Sequence, residues 1–111
     1  MTIPSEMSGD VLIVSPKGQL NSTNAAAAEA ELVQHVAQGT RRVGLDFSQL
    51  DYISSAGLRV VLVLAKRLKQ AEGKLVLFGL QPHVREVFEI SGFLAILTVT
   101  DTREQALAQL A

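Results

Sequence analysis

There is no cysteine in this chain. Disulfides and thiol chemistry are therefore excluded, and a reducing compartment is permitted. Charge of one sign is also lacking: the formal net charge is −1, which gives no electrostatic case for binding nucleic acid or an anionic membrane. No apolar run approaches the length that crosses a bilayer, because the run over residues 60–65 is stopped by Arg59 and Lys66. The opening Met1-Thr2-Ile3-Pro4-Ser5-Glu6 lacks the basic-then-apolar pattern of a signal peptide. These absences lead us to expect a cytoplasmic domain.

Catalytic chemistry is equally thin. The only histidines, His35 and His83, fall on different predicted helices, and no His-x-x-x-His pair exists. A zinc site lacks ligands. The Gly-x-Ser-x-Gly elbow, the Walker-type phosphate loop and the dinucleotide fingerprint are missing. A serine nucleophile needs a base within hydrogen-bond reach, which here would require His35 or His83 to lie beside Ser55. Asp46 and Asp51 read as a strand-end acid and a turn residue rather than paired carboxylates. Arg41-Arg42 and Lys66-Arg67-Lys69 read as solvated faces. We expect no enzyme, no cofactor and no metal site.

What is present suits one domain over residues 1–111, with 48% hydrophobic and 19% charged residues. A chain of this length buries roughly two thirds of the surface its unfolded form exposes. The apolar run Val11-Leu12-Ile13-Val14 predicts a strand, with a further edge strand before it. Pro16-Lys17-Gly18 marks a turn or bulge, after which Gln19-Leu20 continue the sheet. Asn21-Ser22-Thr23-Asn24 offers several N-caps for an alanine-rich helix over 25–38, whose inward stripe is Ala25, Ala28, Leu32 and Val36 and whose stop is Gly39. Residues 42–47 predict a central strand. A helix over 55–72 follows, with Leu58, Val61, Leu62, Leu64, Ala65 and Leu68 as its apolar stripe and Val60 and Val63 on the other side. Residues 74–79 predict a strand, Pro82 opens a short helix closed by Gly92, and Ile96-Leu97-Thr98-Val99 predict a last strand. A terminal helix capped by Asp101 or Thr102 turns Ala106, Leu107 and Leu110 inward. Strands alternating with helices argue for an α/β layer fold: a mixed central sheet of four to five strands with four helices.

The stretch from Leu45 to Arg59, through Asp46-Phe47-Ser48-Gln49-Leu50-Asp51-Tyr52-Ile53-Ser54-Ser55-Ala56-Gly57-Leu58, reads as a strand end, a turn and a helix start. A helix N-terminus carries unpartnered N–H groups and partial positive charge, so it stabilises an anion. A serine there can act as a cap or carry a phosphate. Gly57 in the first helical turn costs about 1 kcal/mol relative to alanine, which points to close approach of either a neighbouring strand or a partner surface.

These residues also carry a resemblance. Asp46-Phe47-Ser48-x-Leu50-x-Tyr52-Ile53-Ser54-Ser55-Ala56-Gly57-Leu58 resembles the signature of STAS domains, in particular the bacterial anti-sigma factor antagonists. Gly18-Gln19-Leu20-Asn21 and the segment Leu77-Phe78-Gly79-Leu80-x-Pro82-x-Val84-x-x-Val87-Phe88-x-x-Ser91-Gly92 support it. The resemblance implies a single-domain STAS-like fold and a partner-switching protein that regulates transcription. In that family the unmodified antagonist binds an anti-sigma factor, which is also a serine kinase, and so frees a sigma factor. Phosphorylation of a serine at this helix start dissociates the pair, and a PP2C-type phosphatase reverses the step. By position the phosphoacceptor is Ser55, in preference to Ser54, which stands where the best-known members have aspartate. Ala56 stands where some members have a second hydroxyl residue. Asn21 replaces another aspartate, so two negative charges are lost from the surface. The implied partner-binding set is Asn21, Ser22, Thr23, Ser54, Ser55, Ala56, Gly57, Leu58, Arg59, Val60 and Val63, with Val60 and Val63 either as apolar contacts or packed under a loop. The alternative is a STAS subunit that does not switch and serves another assembly, such as a lipid-transport or stress-signalling complex.

Overall fold

In the computed structural model, which describes residues 3–111, the strand and helix signals fall into alternating order. The elements are β1 (Ser5–Ser8), β2 (Val11–Val14), β3 (Gly18–Leu20), α1 (Ala25–Ala37), β4 (Arg42–Asp46), β5 (Leu50–Ile53), α2 (Ser55–Gln70), β6 (Lys74–Phe78), α3 (Pro82–Ser91), a 3-10 turn (Phe93–Ala95), β7 (Thr98–Thr100) and α4 (Arg103–Leu110). The main sheet runs β1-β2-β4-β6-β7. β1 is antiparallel to β2, and the other pairings are parallel. Parallel neighbours need crossovers, and α1, α2 and α3 supply them.

Both faces of the sheet are covered. Leu12, Val14, Val43, Leu45, Leu75 and Leu77 point to one side and meet α1 and α2 in the main core. Val11, Ile13, Val76 and Phe78 point to the other side and meet Ala106 and Leu110 of α4. Period-two alternation puts each strand's apolar residues on both faces, as burial on two sides demands. Gly44 breaks the pattern of β4 because a β-carbon there would sit 2.8 Å from Ile13 Cδ1 and 3.7 Å from Leu110 Cδ1. Its bareness makes room for the Ile13 side chain of the neighbouring strand, which accounts for the imperfect alternation of β4. α4 itself starts with a capping box, in which Thr102 Oγ1 accepts from Gln105 N and the Gln105 side chain accepts from Thr102 N.

Three details depart from the sequence expectation. Gln19 and Leu20 do not continue the main sheet: β3 pairs in parallel with β5 as a separate two-stranded sheet. Pro16 has no N–H to give a ladder, and Gly18 at φ +74° turns the chain out. β5 itself lies inside the stretch read as a turn. The last strand begins at Thr98 rather than Ile96, because Gly92 at φ +81° leads into the 3-10 turn. The expected inward stripe of α1 is the observed one: Ala25, Ala28, Leu32 and Val36. Among the described residues, no helix is long and apolar enough to cross a membrane.

Candidate functional site

The carboxyl ends of β3 and β5 lead directly into α1 and α2, so both helix starts lie at one end of the molecule. Crevices outside the carboxyl ends of parallel strands are where open α/β folds bind. Phe47, just past β4, packs its ring against Phe88 of α3 with centroids 6.2 Å apart. Gln81 Nε2 donates to the Ser48 carbonyl at 3.1 Å and to Asp51 Oδ1 at 3.2 Å. His83 Nε2 donates to the Asp51 carbonyl. These contacts tie the β4–β5 turn to α3 and fix the strand that delivers the two serines.

Ser54 is the N-cap of α2. Its φ of −92° and ψ of 176° are extended, and its Oγ accepts from Gly57 N at 3.3 Å. Its N–H donates to the Leu20 carbonyl at 2.9 Å, and its carbonyl accepts from Leu58 N at 2.9 Å. Ser54 is thus committed to holding the helix start against β3. Ser55, the first residue of α2, is exposed, and its hydroxyl makes no hydrogen bond within the described residues.

Across from it, the α1 loop is knitted by its asparagines. Asn21 N donates to Asn24 Oδ1 at 2.9 Å, Asn21 Oδ1 accepts from Thr23 N at 2.9 Å, and Asn24 Nδ2 donates to the Gln19 carbonyl at 2.8 Å. Asn24 is the N-cap residue by position, but its side chain bonds into the loop rather than onto the helix. Between the helices lies an open groove of about 530 Å³, lined by Ser22, Ala25, Ala26 and Glu29 on one side and Ser55, Ala56, Arg59 and Val60 on the other. Ser22, Ser55, Ala56, Arg59 and Val60 of the expected set are brought together here. Asn21 and Thr23 stand beside it, half-buried and exposed respectively. The sequence reading did not place Ala26 and Glu29 at this groove. The spacing carried the signal, since Glu29 lies one turn beyond the inward Ala25 on the same face.

Gly57, Leu58 and Val60 of the expected contact set lie mostly in the packing, although Val60 still lines the groove. All three are buried, Leu58 at 7% and Val60 at 2% exposure. Gly57 is bare because of the neighbouring strand: a β-carbon there would lie 2.6 Å from the Leu20 carbonyl oxygen and 2.7 Å from Ile53 Cγ1. Val60 belongs to the main core, which also holds Ala28 and Leu32 of α1. α1 flanks α2 on this side, so the buried face of α2 is Gly57, Leu58, Val60, Val61, Leu64 and Leu68. Leu62 and Ala65, expected inside, are only half-buried, as is Val63.

No histidine lines the groove at Ser55. His83 faces the β4–β5 turn, and His35 lies in the last turn of α1. No cluster of three or more histidine, aspartate or glutamate side chains converges as a metal site among the described residues. The groove offers a free hydroxyl at a helix N-terminus, one guanidinium and one carboxylate.

A family model described as the STAS domain matches residues 2–106. BtrV of Bordetella bronchiseptica, named as a candidate anti-sigma factor antagonist, is 60% identical over 98 residues, covering 88% of this chain and 84% of its own length. A candidate anti-sigma factor antagonist from Thermotoga maritima superposes with a TM-score of 0.93 at 23% identity, covering 97% of this chain and 93% of its own. The Bacillus cell fate determinant SpoIIAA in its phosphorylated form superposes with a TM-score of 0.76 at 22% identity, covering 99% of this chain and 100% of its own. At these identities the solved structures speak for the fold.

Proposed function

Because the chain belongs to the STAS domain family, matched over residues 2–106, we propose that it is an anti-sigma factor antagonist switched by phosphorylation of Ser55. The unmodified form binds an anti-sigma factor that is also a serine kinase. The kinase supplies nucleotide, metal and base, and the antagonist supplies only the hydroxyl. A PP2C-type phosphatase restores the binding form. The reading draws its first support from the name of a relative 60% identical over 98 residues. The observation that carries the switch is the division of labour between the serines: Ser54 Oγ caps α2 through Gly57 N at 3.3 Å, while Ser55 is exposed and uncommitted. SpoIIAA, a fold neighbour at 22% identity, has a structure in its phosphorylated form, which supports the reading.

The test is intact-mass analysis with fragment mapping after incubation with the cognate anti-sigma factor and Mg-ATP, on wild type, Ser54→Ala and Ser55→Ala. One phosphate is expected on wild type and Ser54→Ala, and none on Ser55→Ala. Tight binding with no phosphate on any form would overturn the switch and leave Ser55 a contact residue of an assembly that does not cycle.

A further inference from the structure

We infer that the exposed stripe of α2, from Ser55 through Arg59, Leu62 and Lys66 to Lys69, is the docking surface for an acidic partner segment that carries an apolar side chain. The inference rests on the proposed function and names the surface that the partner would read.

These five residues sit at positions i, i+4, i+7, i+11 and i+14, within an arc of about 80° on a helix of 3.6 residues per turn. The arc lies opposite the buried face centred on Gly57, Val61, Leu64 and Leu68. Beside its far half, α2 and the segment before β7 leave an open groove of about 480 Å³ that includes Leu62, Ala65, Lys66, Lys69, Ile96 and Leu97. Ile96 is 71% exposed. A lone exposed isoleucine would be ordinary, but this one shares a groove with half-buried Leu62 and Leu97.

The charge beside the far half of the stripe has one sign, whereas Glu29 of α1 shares the groove at Ser55 and Arg59. No carboxylate lines the groove that holds Ile96. Arg59, Lys66 and Lys69 make no hydrogen bond or ion pair among the described residues, whereas Arg42, Arg85 and Arg103 are each paired with a carboxylate. Lys74, also in the groove, donates to the Gln109 carbonyl at 2.8 Å and is engaged. Lys69 in the last turn suits the negative end of the helix dipole, whereas Arg59, near the N-terminal end, does not, and it shares its groove with Glu29 without pairing with it. Unpaired cations around an apolar floor fit carboxylates flanking an aliphatic or aromatic side chain.

This surface also explains why a modification at Ser55 would act on binding. A phosphate adds −1.5 to −2 charge at the head of the stripe. It would draw Arg59, one turn away, out of reach of the partner, and it would set like charge against an acidic segment.

The experiment measures binding of the purified cognate anti-sigma factor by calorimetry at low and high salt, on wild type and three variants whose melting is checked first. Lys66→Glu/Lys69→Glu should weaken binding at least about tenfold, and Ile96→Ser by about threefold or more. Lys17→Glu/Arg103→Glu changes the net charge equally at residues outside both grooves and should stay within about twofold. Wild-type binding should weaken as salt rises. Wild-type affinity in Lys66→Glu/Lys69→Glu, or an equal loss in Lys17→Glu/Arg103→Glu, would overturn the surface while leaving the function intact. No binding by wild type would remove the functional reading and this surface with it. Binding that depends on the lysines without any phosphorylation would support the surface and remove the switch alone.

Discussion

Replacing Gly57 with alanine sets two terms against each other at the start of α2. In a solvated helix the change gains about 1 kcal/mol of helix propensity. Here the new β-carbon would meet the Leu20 carbonyl oxygen at 2.6 Å, where ordinary contact begins at 3.4 Å. That oxygen is backbone and already accepts from Ser54 N at 2.9 Å, so it cannot swing away without stretching the bond. The first turn of α2 must recede by about 0.8 Å. Overpacking of this kind costs about 1–3 kcal/mol, and weakening the hydrogen bond about 1 more. Net of the propensity gain, the variant should lose about 2 kcal/mol, a fall in Tm of about 8 °C for a domain of this size. Calorimetric melting, with a urea titration to confirm that m is unchanged, reads the effect. A Tm equal to or above that of wild type would refute the close approach as the reason for the glycine.

Ser54→Ala removes the acceptor for Gly57 N and should cost about 1 kcal/mol in urea unfolding, without changing the phosphate count; loss of the phosphate instead would move the modification to Ser54. Val60→Ala removes two methyl groups from a site 2% exposed and should cost about 2 kcal/mol by the same titration. A cost below about 0.5 kcal/mol, the range of surface substitutions, together with weakened partner binding, would return Val60 to the contact surface.

The element order was legible because each signal is local. The Ala25, Ala28, Leu32 and Val36 stripe, the Pro82 and Gly92 brackets and the Thr102 cap each depend on residues a turn apart. The two-stranded sheet was not legible, because β5 is four residues long and its exposed Asp51 and Tyr52 give it no apolar run. Its partner β3 lies about thirty residues earlier in the chain. The face of α2 failed for a related reason. Its wheel offers Leu62 and Ala65 on one flank and Val60 on the other, and propensity does not say on which flank α1 packs. α1 approaches through Ala25 and Ala28, and its small residues take in Val60. Gly57 was read as a mark of close approach, and Leu20 is what approaches.

The same contacts bear on how a switch at this position would work. The start of α2 is held by the Ser54 cap, the Ser54–Leu20 hydrogen bond and the bare Gly57, and none of these uses the Ser55 hydroxyl. A phosphate on Ser55 would therefore displace no contact of the fold, and the helix dipole and free N–H groups would favour it. Against a docked partner the balance reverses. At about 6 Å and an effective dielectric near 20, a charge of about −1.5 repels one carboxylate by on the order of 4 kcal/mol. That corresponds to roughly a thousandfold in Kd. A modification nearly neutral for the domain is thus large enough to separate a complex of ordinary affinity. The two effects differ because Ser55 lies outside the packing that holds α2 while heading the surface that α2 presents.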